Sequence, residues 1–231
     1  TARIAVGLQG LALIERAYQN SLAYARDRLQ MRSLSGAKRP DKPADPIIVH
    51  PDIRRLLLTQ KAFAEGGRVL AYYAYLQADI VAKSADEAER KRADELLGFL
   101  TPIVKAMLTE AAIECTNHAL QVFGGHGYVK EWGMEQFVRD ARITTIYEGT
   151  TQIQALDLLG RKIMGLQAAG LRHFLGEVGA FFHQGIAFSD QLHLFQPPQG
   201  PQPHVEDRFR LVLGQLAFPL DRGPVVLFRT R

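Results

Sequence analysis

The first thirty residues of the chain repeat apolar side chains at alternating spacings of four and three. The repeat consists of Ile4, Leu8, Leu11, Tyr18, Leu22, Ala25 and Leu29, with Glu15 in its one polar position. Such spacing places one side chain of every turn on the same face of a helix. It predicts an amphipathic helix of roughly seven to eight turns. This helix is expected to end near Arg32, because the Pro/Lys stretch 38–43 suits an exposed loop.

Further long helices are predicted downstream, and no convincing strand alternation precedes residue 205. The residues His50-Pro51-Asp52 predict the start of a second helix, since proline suits the first helical position. Ser84-Ala85-Asp86-Glu87 has the pattern of a capping box that opens a third helix. Thr101-Pro102 predicts a kink or a restart within that helix.

The second half of the chain predicts shorter helices. One is expected around Glu135 to Arg142, and another opens with a capping box at Thr151 to Gln154 and runs to about Met164. A last helix is expected from Gln167 to Phe182. The predicted fold class is therefore all-α: an antiparallel helical bundle with functional turns at one end and an irregular C-terminal extension.

The bulk properties exclude few functions. With a net charge of +4 and scattered Lys and Arg, the chain favours an anionic ligand only weakly, and nucleic acid less. The single cysteine, Cys115, excludes an internal disulfide and is interpreted as a small buried residue. No apolar run reaches the length of a membrane span, and no signal peptide is recognised. Because helical periodicity is already running at Ile4, we expect a piece of a longer polypeptide.

A glycine-rich segment follows the third helix at residues 121–128 (QVFGGHGY). The simplest interpretation is a C-cap at Gly124 and a tight turn at Gly125 and Gly127. The same glycines would also expose backbone N–H groups and let an extended ligand lie against the main chain. His126 has no second ligand at i+3 or i+4, so no metal site is predicted.

A lone carboxylate, Glu148, stands between an apolar run and a glycine in residues 146–154 (IYEGTTQIQ). The simpler interpretation is an acid in a turn before a helix, where free N–H groups and the helix dipole favour an anion. In the alternative interpretation, Ile146 and Tyr147 partly desolvate this carboxyl group. It would then serve as a general base beside a ligand admitted by Gly149. Spacing alone favours the turn.

Together the two segments resemble the C-terminal signature of the acyl-CoA dehydrogenases. Residues 121–128 are followed by Arg139-Asp140-Ala141 and then by 146–154, and the gap of 27 residues from Gln121 to Glu148 is that of the family. The resemblance extends from residue 3 to about residue 165. The long loop before His50 and the extra helix after residue 165 are similar to a subgroup of large enzymes. That subgroup includes dehydrogenases of methylmercaptopropionyl-CoA type, which carry an extra C-terminal domain.

The resemblance implies a division of the chain. Residues 1–165 would form the acyl-CoA dehydrogenase C-terminal helical bundle, and 166–195 the start of an extra C-terminal helical segment. Residues 196–231 would comprise a Pro-rich linker and an unassigned tail. In the family, an N-terminal helical domain and a middle β-domain supply most contacts to the flavin ring and one wall of the acyl pocket. We therefore expect this chain alone to bind FAD poorly and to be inactive.

The resemblance also implies a reaction, the FAD-dependent α,β-dehydrogenation of an acyl-CoA thioester. Glu148 matches the base that removes the α-proton, while the β-hydrogen leaves as a hydride to the flavin. Arg3 matches an arginine near the acyl-CoA, and Gly149 a backbone contact to substrate. The electrons would pass to electron-transfer flavoprotein.

Two groups of residues match FAD contacts in the family. The first, which would lie along the FAD of a neighbouring subunit, consists of Arg28, Gln30, Gln121, Val122, Phe123, Gly124 and Gly125. The second, which would hold the adenosine and pyrophosphate at a helix start, consists of Thr150, Thr151 and Gln152. A guanidinium fork at Arg28 suits a pyrophosphate, although a solvated cation at a helix end is its alternative interpretation. His50 and Pro51 take the place of another FAD-proximal pair. Such sharing implies a homo-oligomer, dimer or tetramer.

Two other functions were compared with the dehydrogenase. One is a non-catalytic helical module that keeps the fold for oligomerisation or interaction, and the other is a basic relative that binds nucleic acid. Glu148 and both FAD segments favour the dehydrogenase; a missing acid would favour the module, and a basic run interleaved with aromatics would favour nucleic acid. We expect no nucleic-acid partner, no membrane span and a bacterial-type cytoplasmic location.

Overall fold

The computed structural model describes residues 2–191, and the side chains of residues 2–183. The α-helices of this part are α1 (Ala2–Asp27), α2 (Pro51–Lys83), α3 (Glu87–Phe123), α4 (Gly125–Tyr128), α5 (Met134–Thr144), α6 (Thr151–Leu156) and α7 (Ala169–Gln191). Short 3-10 turns occupy Ile47–Val49 and Lys130–Trp132, and a π-helical segment, Asp157–Gly165, follows α6. Within the described residues, the β pairing found is a single bridge between Leu29 and Pro46. The all-α prediction is confirmed.

The three long helices form the core of the bundle. Their largest buried apolar cluster comprises Ile4, Leu11, Ala71, Ala74, Leu96, Phe99, Leu100, Val104 and Leu108. Gly7 faces Val104 and Gly10 faces Leu108, so α1 and α3 pack directly and run in the same direction. Gly67 of α2 faces Leu108 and Leu11, so α2 packs against both. The approach is close at Gly10, where an added Cβ would lie 2.6 Å from the Leu108 carbonyl oxygen. This packing makes α3 the central support of the molecule.

The first helix is shorter than its periodicity predicts. It ends at Asp27 rather than near Arg32, and its last helical bond runs from the Arg28 N–H to the Tyr24 carbonyl. Beyond this point the chain pairs with a distant segment, because the Gln30 N–H donates to the Asp45 carbonyl at 2.9 Å. These long-range backbone bonds override the local apolar repeat at Leu29.

The loop between α1 and α2 is exposed, as predicted, but it folds around one buried acid. The Asp45 carboxylate accepts backbone N–H bonds from Ser33 (2.9 Å), Lys38 (2.9 Å) and Arg39 (2.7 Å). Arg32 adds a guanidinium bond at 3.3 Å. These donors, the Ser33 N–H foremost, outweigh desolvation and lower the pKa of Asp45 to about 2.

Both predicted capping boxes are wrong by one or two residues. Asp86, not Ser84, caps α3 by accepting from the Ala88 N–H at 2.9 Å, and Ser84 instead ends α2. Thr150, not Thr151, caps α6 by accepting from the Ile153 N–H at 3.4 Å. In each case the sequence offers two nearby capping side chains, and tertiary packing decides which one the helix uses.

The predicted break at Thr101-Pro102 is also not a restart, because all 37 residues of α3 form one uninterrupted helix. Pro102 cannot donate to the Gly98 carbonyl, yet Thr101 and Pro102 are both buried, so packing on α1 and α2 sustains the helix. By length and composition alone, α3 could cross a membrane, which the sequence reasoning did not recognise. Its most apolar window is 61% buried inside the bundle, which is typical of a core helix.

The last described helix begins slightly later than predicted and extends further. Gln167 and Ala168 have φ values of 50° and 57°, so α7 begins at Ala169 and reaches Gln191. Leu171 and Phe174 pack against the main apolar cluster. The predicted Pro-rich linker and tail, 196–231, lie outside the described residues.

Candidate functional site

The predicted site residues gather at two places along α3. The first is a cavity of about 530 Å³ at the C-terminal end of the helix, which we call the glycine-turn cavity. It is lined by Tyr24, Arg28, Gln30, Met31, Ile47, His50, Ile53, Gln121, Val122, Phe123, Gly124, Gly125 and His126. The second is the loop Tyr147–Thr150, which we call the acid loop and which lies over Lys105. Since a helix rises 1.5 Å per residue, Lys105 and Gly124 lie roughly 28 Å apart.

The three glycines of residues 124–127 are required by the structure to different degrees. Gly124 ends α3 with φ 59° and ψ −138°, a conformation that strongly favours glycine. Gly127 lies so close to the preceding helix that an added Cβ would be 2.5 Å from the Leu120 carbonyl oxygen. Neither reason applies to Gly125, which is exposed and has nothing within 4 Å of an added Cβ. Its open backbone faces the cavity, as the ligand interpretation requires.

Arg28 is the cation of this cavity. Its exposed side chain makes no ion pair or hydrogen bond within the described residues, so its guanidinium is available to an anion. The Nε2 atom of His50 lies 2.9 Å from the Gln30 carbonyl oxygen and links the start of α2 to the wall formed by Gln30. The structure thus brings Arg28, Gln30 and the 121–125 segment together, as the resemblance implies.

An aromatic cluster that the sequence reasoning missed adjoins the same wall. Tyr24 stacks on Phe123, with ring centroids 4.1 Å apart, and its hydroxyl lies 2.9 Å from His126 Nδ1. His126 in turn stacks on Trp132 at 4.9 Å, and the cluster borders a second cavity of about 550 Å³. Tyr24 lies one helical turn before Arg28, and this spacing could have predicted that the ring lies on the same face of α1 as the predicted FAD contact.

The acid loop presents Glu148 to solvent. Glu148 has φ 55° and Gly149 has φ 87°, so two successive residues adopt the left-handed region. The expected partial desolvation by Ile146 and Tyr147 is wrong for this chain, because Glu148 is exposed and these neighbours are themselves 46% and 36% exposed. Within the described residues its carboxylate forms no ion pair or hydrogen bond. The carboxylate is therefore free to meet a ligand.

Buried polar side chains support the loop from below. Lys105 Nζ donates to the Gly149 carbonyl at 2.6 Å. Gln154 Nε2 donates to the carbonyls of Glu148 and Gly149 at 3.2 and 3.1 Å. Burial lowers the pKa of Lys105, while the nearby charges of Glu110 and Glu148 act in the opposite direction. The sequence offered no signal for these contacts, since Lys105 is 44 residues from Gly149.

Arg3 lies on the same network rather than free in a pocket. Its Nη1 atom donates to Asp157 Oδ2 at 2.6 Å and to Gln154 Oε1 at 3.0 Å. Burial raises the pKa of Asp157, but the hydrogen bond and charge of Arg3 outweigh it, and the net pKa is below its usual value. Arg3 therefore fixes Gln154, which in turn fixes the acid loop.

The second predicted FAD group opens α6 directly after Glu148. Thr150 caps the helix, Thr151 donates its hydroxyl hydrogen to Glu110, and Gln152 is exposed. These residues therefore lie beside the acid loop and far from the glycine-turn cavity. The structure does not bring the two predicted FAD groups together within one chain.

Other titratable groups do not form a second centre in the part of the chain that the structure describes. No group of three or more His, Cys, Asp or Glu residues there is arranged to hold a metal ion. Cys115 is fully buried, and burial raises the pKa of its thiol to about 12. A thiol with this pKa is a packing residue rather than a nucleophile.

A comparison with protein families identifies this arrangement. The model of the acyl-CoA dehydrogenase C-terminal domain matches residues 1–164. The chain belongs to the acyl-CoA dehydrogenase family. It is 47% identical to the 3-methylmercaptopropionyl-CoA dehydrogenase of Ruegeria pomeroyi, over 78% of this chain and 30% of the relative. It is 38% identical to the broad-specificity linear acyl-CoA dehydrogenase FadE5 of Mycobacterium tuberculosis, over 80% of this chain and 30% of the relative. The chain thus spans about 30% of these curated relatives.

Solved structures of acyl-CoA dehydrogenases and related proteins share the fold. Butyryl-CoA dehydrogenase of Megasphaera elsdenii matches with a TM-score of 0.55 and 28% identity, over 68% of this chain and 35% of its own. Caenorhabditis elegans ACDH-11, solved with C11-CoA, matches in fold with a TM-score of 0.64 at 23% identity. The match covers 77% of this chain and 27% of ACDH-11. A structure described as electron transferring flavoprotein of Acidaminococcus fermentans matches with a TM-score of 0.55 and 25% identity. The match covers 70% of this chain and 36% of that structure's chain.

Proposed function

We propose that this chain is the C-terminal catalytic portion of a FAD-dependent acyl-CoA dehydrogenase in which Glu148 is the base. The observation that carries the proposal is the acid loop. It presents a carboxylate without a partner among the described residues, on a backbone fixed by buried donors. A general base must be held in place and still be open to the proton that it abstracts. Glu148 meets both requirements.

The proposed reaction is removal of the α-proton of an acyl-CoA thioester by the Glu148 carboxylate. Bound FAD supplies the acceptor for the β-hydride, which no protein side chain can provide. Gly149 would contact the thioester through its backbone, and Arg3 holds Gln154, which supports the loop. A surface from outside this chain would cover Glu148 and exclude water, and we propose that the isolated chain is inactive for want of that surface.

The residues of the glycine-turn cavity fit part of a dinucleotide. Arg28 offers an unpaired guanidinium for a pyrophosphate, and the open backbone at Gly125 lets an extended ligand approach closely. The aromatic rings of Tyr24 and Phe123 add apolar surface for a planar ring. We assign the Arg28, Gln30 and 121–125 group to one FAD and Thr150, Thr151 and Gln152 to another. The separation of the two groups along α3 supports cofactor sites shared between subunits.

The outer face of α2 supports such a homo-oligomer. Leu58, Val69, Tyr72 and Leu76 are all more than half exposed, and Ala62 and Gly66 lie between them on the same face. The face repeats at four and three residues, which suits packing against a second helix. A Val69→Glu protein is expected to sediment as a smaller species than the wild type, whereas Lys91→Glu, at an exposed polar position of α3, is not. Electron-transfer flavoprotein remains our proposed electron acceptor.

The deciding experiment uses the protein from the complete reading frame, purified with FAD. Glu148→Gln keeps the shape of the side chain but removes the base. It should retain FAD while flavin bleaching by an acyl-CoA slows about 10²- to 10⁴-fold. Glu131→Gln, at an exposed acid of a distant turn, is the matched control and should bleach at the wild-type rate. Bleaching of Glu148→Gln at the wild-type rate would exclude Glu148 as the base, and a protein without FAD would favour the interaction module.

A further inference from the structure

Lys105 is a fully buried lysine in the middle of the bundle. It is the largest side chain with less than 2% of its surface exposed, and it lies on α3 between the core residues Val104 and Leu108. Burying an ammonium group costs free energy unless the group is paired and hydrogen-bonded. No carboxylate of the described residues lies within ion-pair distance of Nζ, and its hydrogen bond goes to the Gly149 carbonyl at 2.6 Å. A methionine would fill this space at lower cost to the fold.

The acid loop needs what Lys105 provides. A non-glycine residue in the left-handed region costs roughly 1–2 kcal/mol, so Glu148 at φ 55° needs outside support. The exposed Glu148 side chain gives none within the described residues. The support comes from donors to the backbone: Lys105 to the Gly149 carbonyl, and Gln154 to the carbonyls of Glu148 and Gly149.

Lys105 and Gln154 both donate to the Gly149 carbonyl, and they lie on different helices. Lys105 belongs to α3, the most deeply packed helix, and Gln154 belongs to α6 and is itself fixed by Arg3. A larger residue at position 149 would be strained by its φ of 87° and would push Gln154 Nε2, 2.7 Å from an added Cβ, away from the loop. The acid loop is therefore held from α3 by the Lys105 bond and from α6 by the Gln154 bonds, and of these only the Lys105 bond ties it to the central helix.

We propose that Lys105 is a positioning residue, which holds the Gly149 carbonyl and thereby aims the Glu148 carboxylate at the substrate. The inference rests on the proposed role of Glu148 as the base. Lys105 acts through the backbone and touches neither substrate nor cofactor. Because a misplacement of about 1 Å can cost about 10²-fold in rate, loss of this bond affects the chemical step more than binding.

The test replaces Lys105 with methionine in the FAD-containing protein from the complete reading frame. We expect kcat to fall about 10- to 100-fold, while KM and FAD content stay within about twofold. Thr109→Val is the matched control. It also removes a buried polar group from the same helix, but the Thr109 hydroxyl donates to the Lys105 carbonyl rather than to the loop. This control should keep wild-type kcat.

A second readout does not depend on activity. Amide hydrogen exchange of a peptide spanning 146–154 should be faster in Lys105→Met than in wild type, and unchanged in Thr109→Val. If Glu148→Gln proves fully active, the proposed function fails, yet this measurement still decides whether Lys105 holds the loop. Wild-type exchange in Lys105→Met would overturn the inference whatever the activity.

A further variant separates the lost bond from a packing defect. Lys105→Ala leaves space for a small amine, and added propylammonium should restore part of kcat and slow the exchange of 146–154. Lys105→Arg keeps a cationic donor and is the conservative variant. If propylammonium does not restore kcat in Lys105→Ala, and Lys105→Arg is as slow as Lys105→Ala, the loss reflects packing damage and the positioning role is overturned.

Discussion

The glycine-turn cavity and the acid loop are built by opposite means. The turn that borders the cavity depends on residues close together in sequence, where Gly124 provides a positive φ and Gly127 lets the turn fold onto α3. The acid loop also depends on partners far away in sequence, because Lys105 of α3 bonds to it and Arg3 of α1 fixes Gln154, which bonds to it as well. The first region is shaped by the absence of side chains, and the second by the bonds that side chains make.

This difference separates what each region can tolerate. A turn shaped by close contact between backbones fails when an atom is added at the point of contact, since the main chain cannot move aside. A loop held by polar bonds fails when a donor is removed, since buried acceptors are then left unsatisfied. The variants below break each region by its own means, beginning with the largest expected effect.

The largest effect is expected at Gly127 of the glycine turn. Gly127→Ala would place a Cβ 2.5 Å from the Leu120 carbonyl oxygen and 2.9 Å from Phe123 Cβ, and should cost about 2–3 kcal/mol in the free energy of unfolding. Urea denaturation measures the loss. The neighbouring Gly125→Ala is the control, with an expected change below about 0.5 kcal/mol. Equal effects at the two positions would show that steric contact does not shape the turn.

A smaller effect is expected at the support of the acid loop. Arg3→Met leaves the Asp157 carboxylate 7% exposed without its partner at 2.6 Å, but Arg3 is one third exposed, which weakens the pair. We expect a loss of about 1–2 kcal/mol near neutral pH, measured by thermal or urea unfolding.

The control for this prediction acts on the same carboxylate. Arg161→Met removes a cation 3.8 Å from Asp157 that is 84% exposed, and its effect should be below about 0.5 kcal/mol. Since Arg3 lowers the pKa of Asp157, its stabilisation is present above the ordinary pKa of 3.8 and is lost as pH falls below it. A stability difference between Arg3→Met and wild type that does not shrink on acidification contradicts this pairing.

A weaker effect is expected at Asp45, whose backbone bonds to the wall of the cavity. Gln30 and Met31 of the cavity wall are joined by backbone bonds to Asp45, whose pKa is about 2 instead of 3.8. The stabilisation by its carboxylate is full above pH 4 and is lost as pH falls through about 2. The Ser33, Lys38 and Arg39 amide signals in NMR spectra should shift in this window and stay constant in Asp45→Asn.

The bundle itself was predictable from the sequence. Apolar periodicity located α1, α2 and α3, because a buried helical face must repeat with the helical turn. The precise ends were not predictable, since α1 stops where Gln30 bonds to Asp45, and no local pattern encodes that pairing. The continuity of α3 through Pro102 was missed for the same reason: packing from two neighbours outweighs a local propensity.

The candidate site was predictable where it depends on local sequence, and not where it depends on distant partners. The glycine-rich segment and the acid before α6 could be identified, because both use unusual residues within a few positions. Lys105 and Asp157 could not, since their partners Gly149 and Arg3 lie 44 and 154 residues away in sequence. The exposure of Glu148 was also unpredictable, because it depends on which surfaces this chain supplies and not on the apolar residues beside it.

The unbroken course of α3 has a consequence for how the family can diverge. One helix carries the glycine turn at its end and Lys105 near its middle, so the number of helical residues between them sets the distance from the glycine turn to the acid loop. Deleting one residue between them would shorten this distance by about 1.5 Å and rotate one place by about 100° relative to the other. Insertions and deletions can therefore accumulate in the loop before α2, whereas the stretch from Lys105 to Gly124 can change only by substitution.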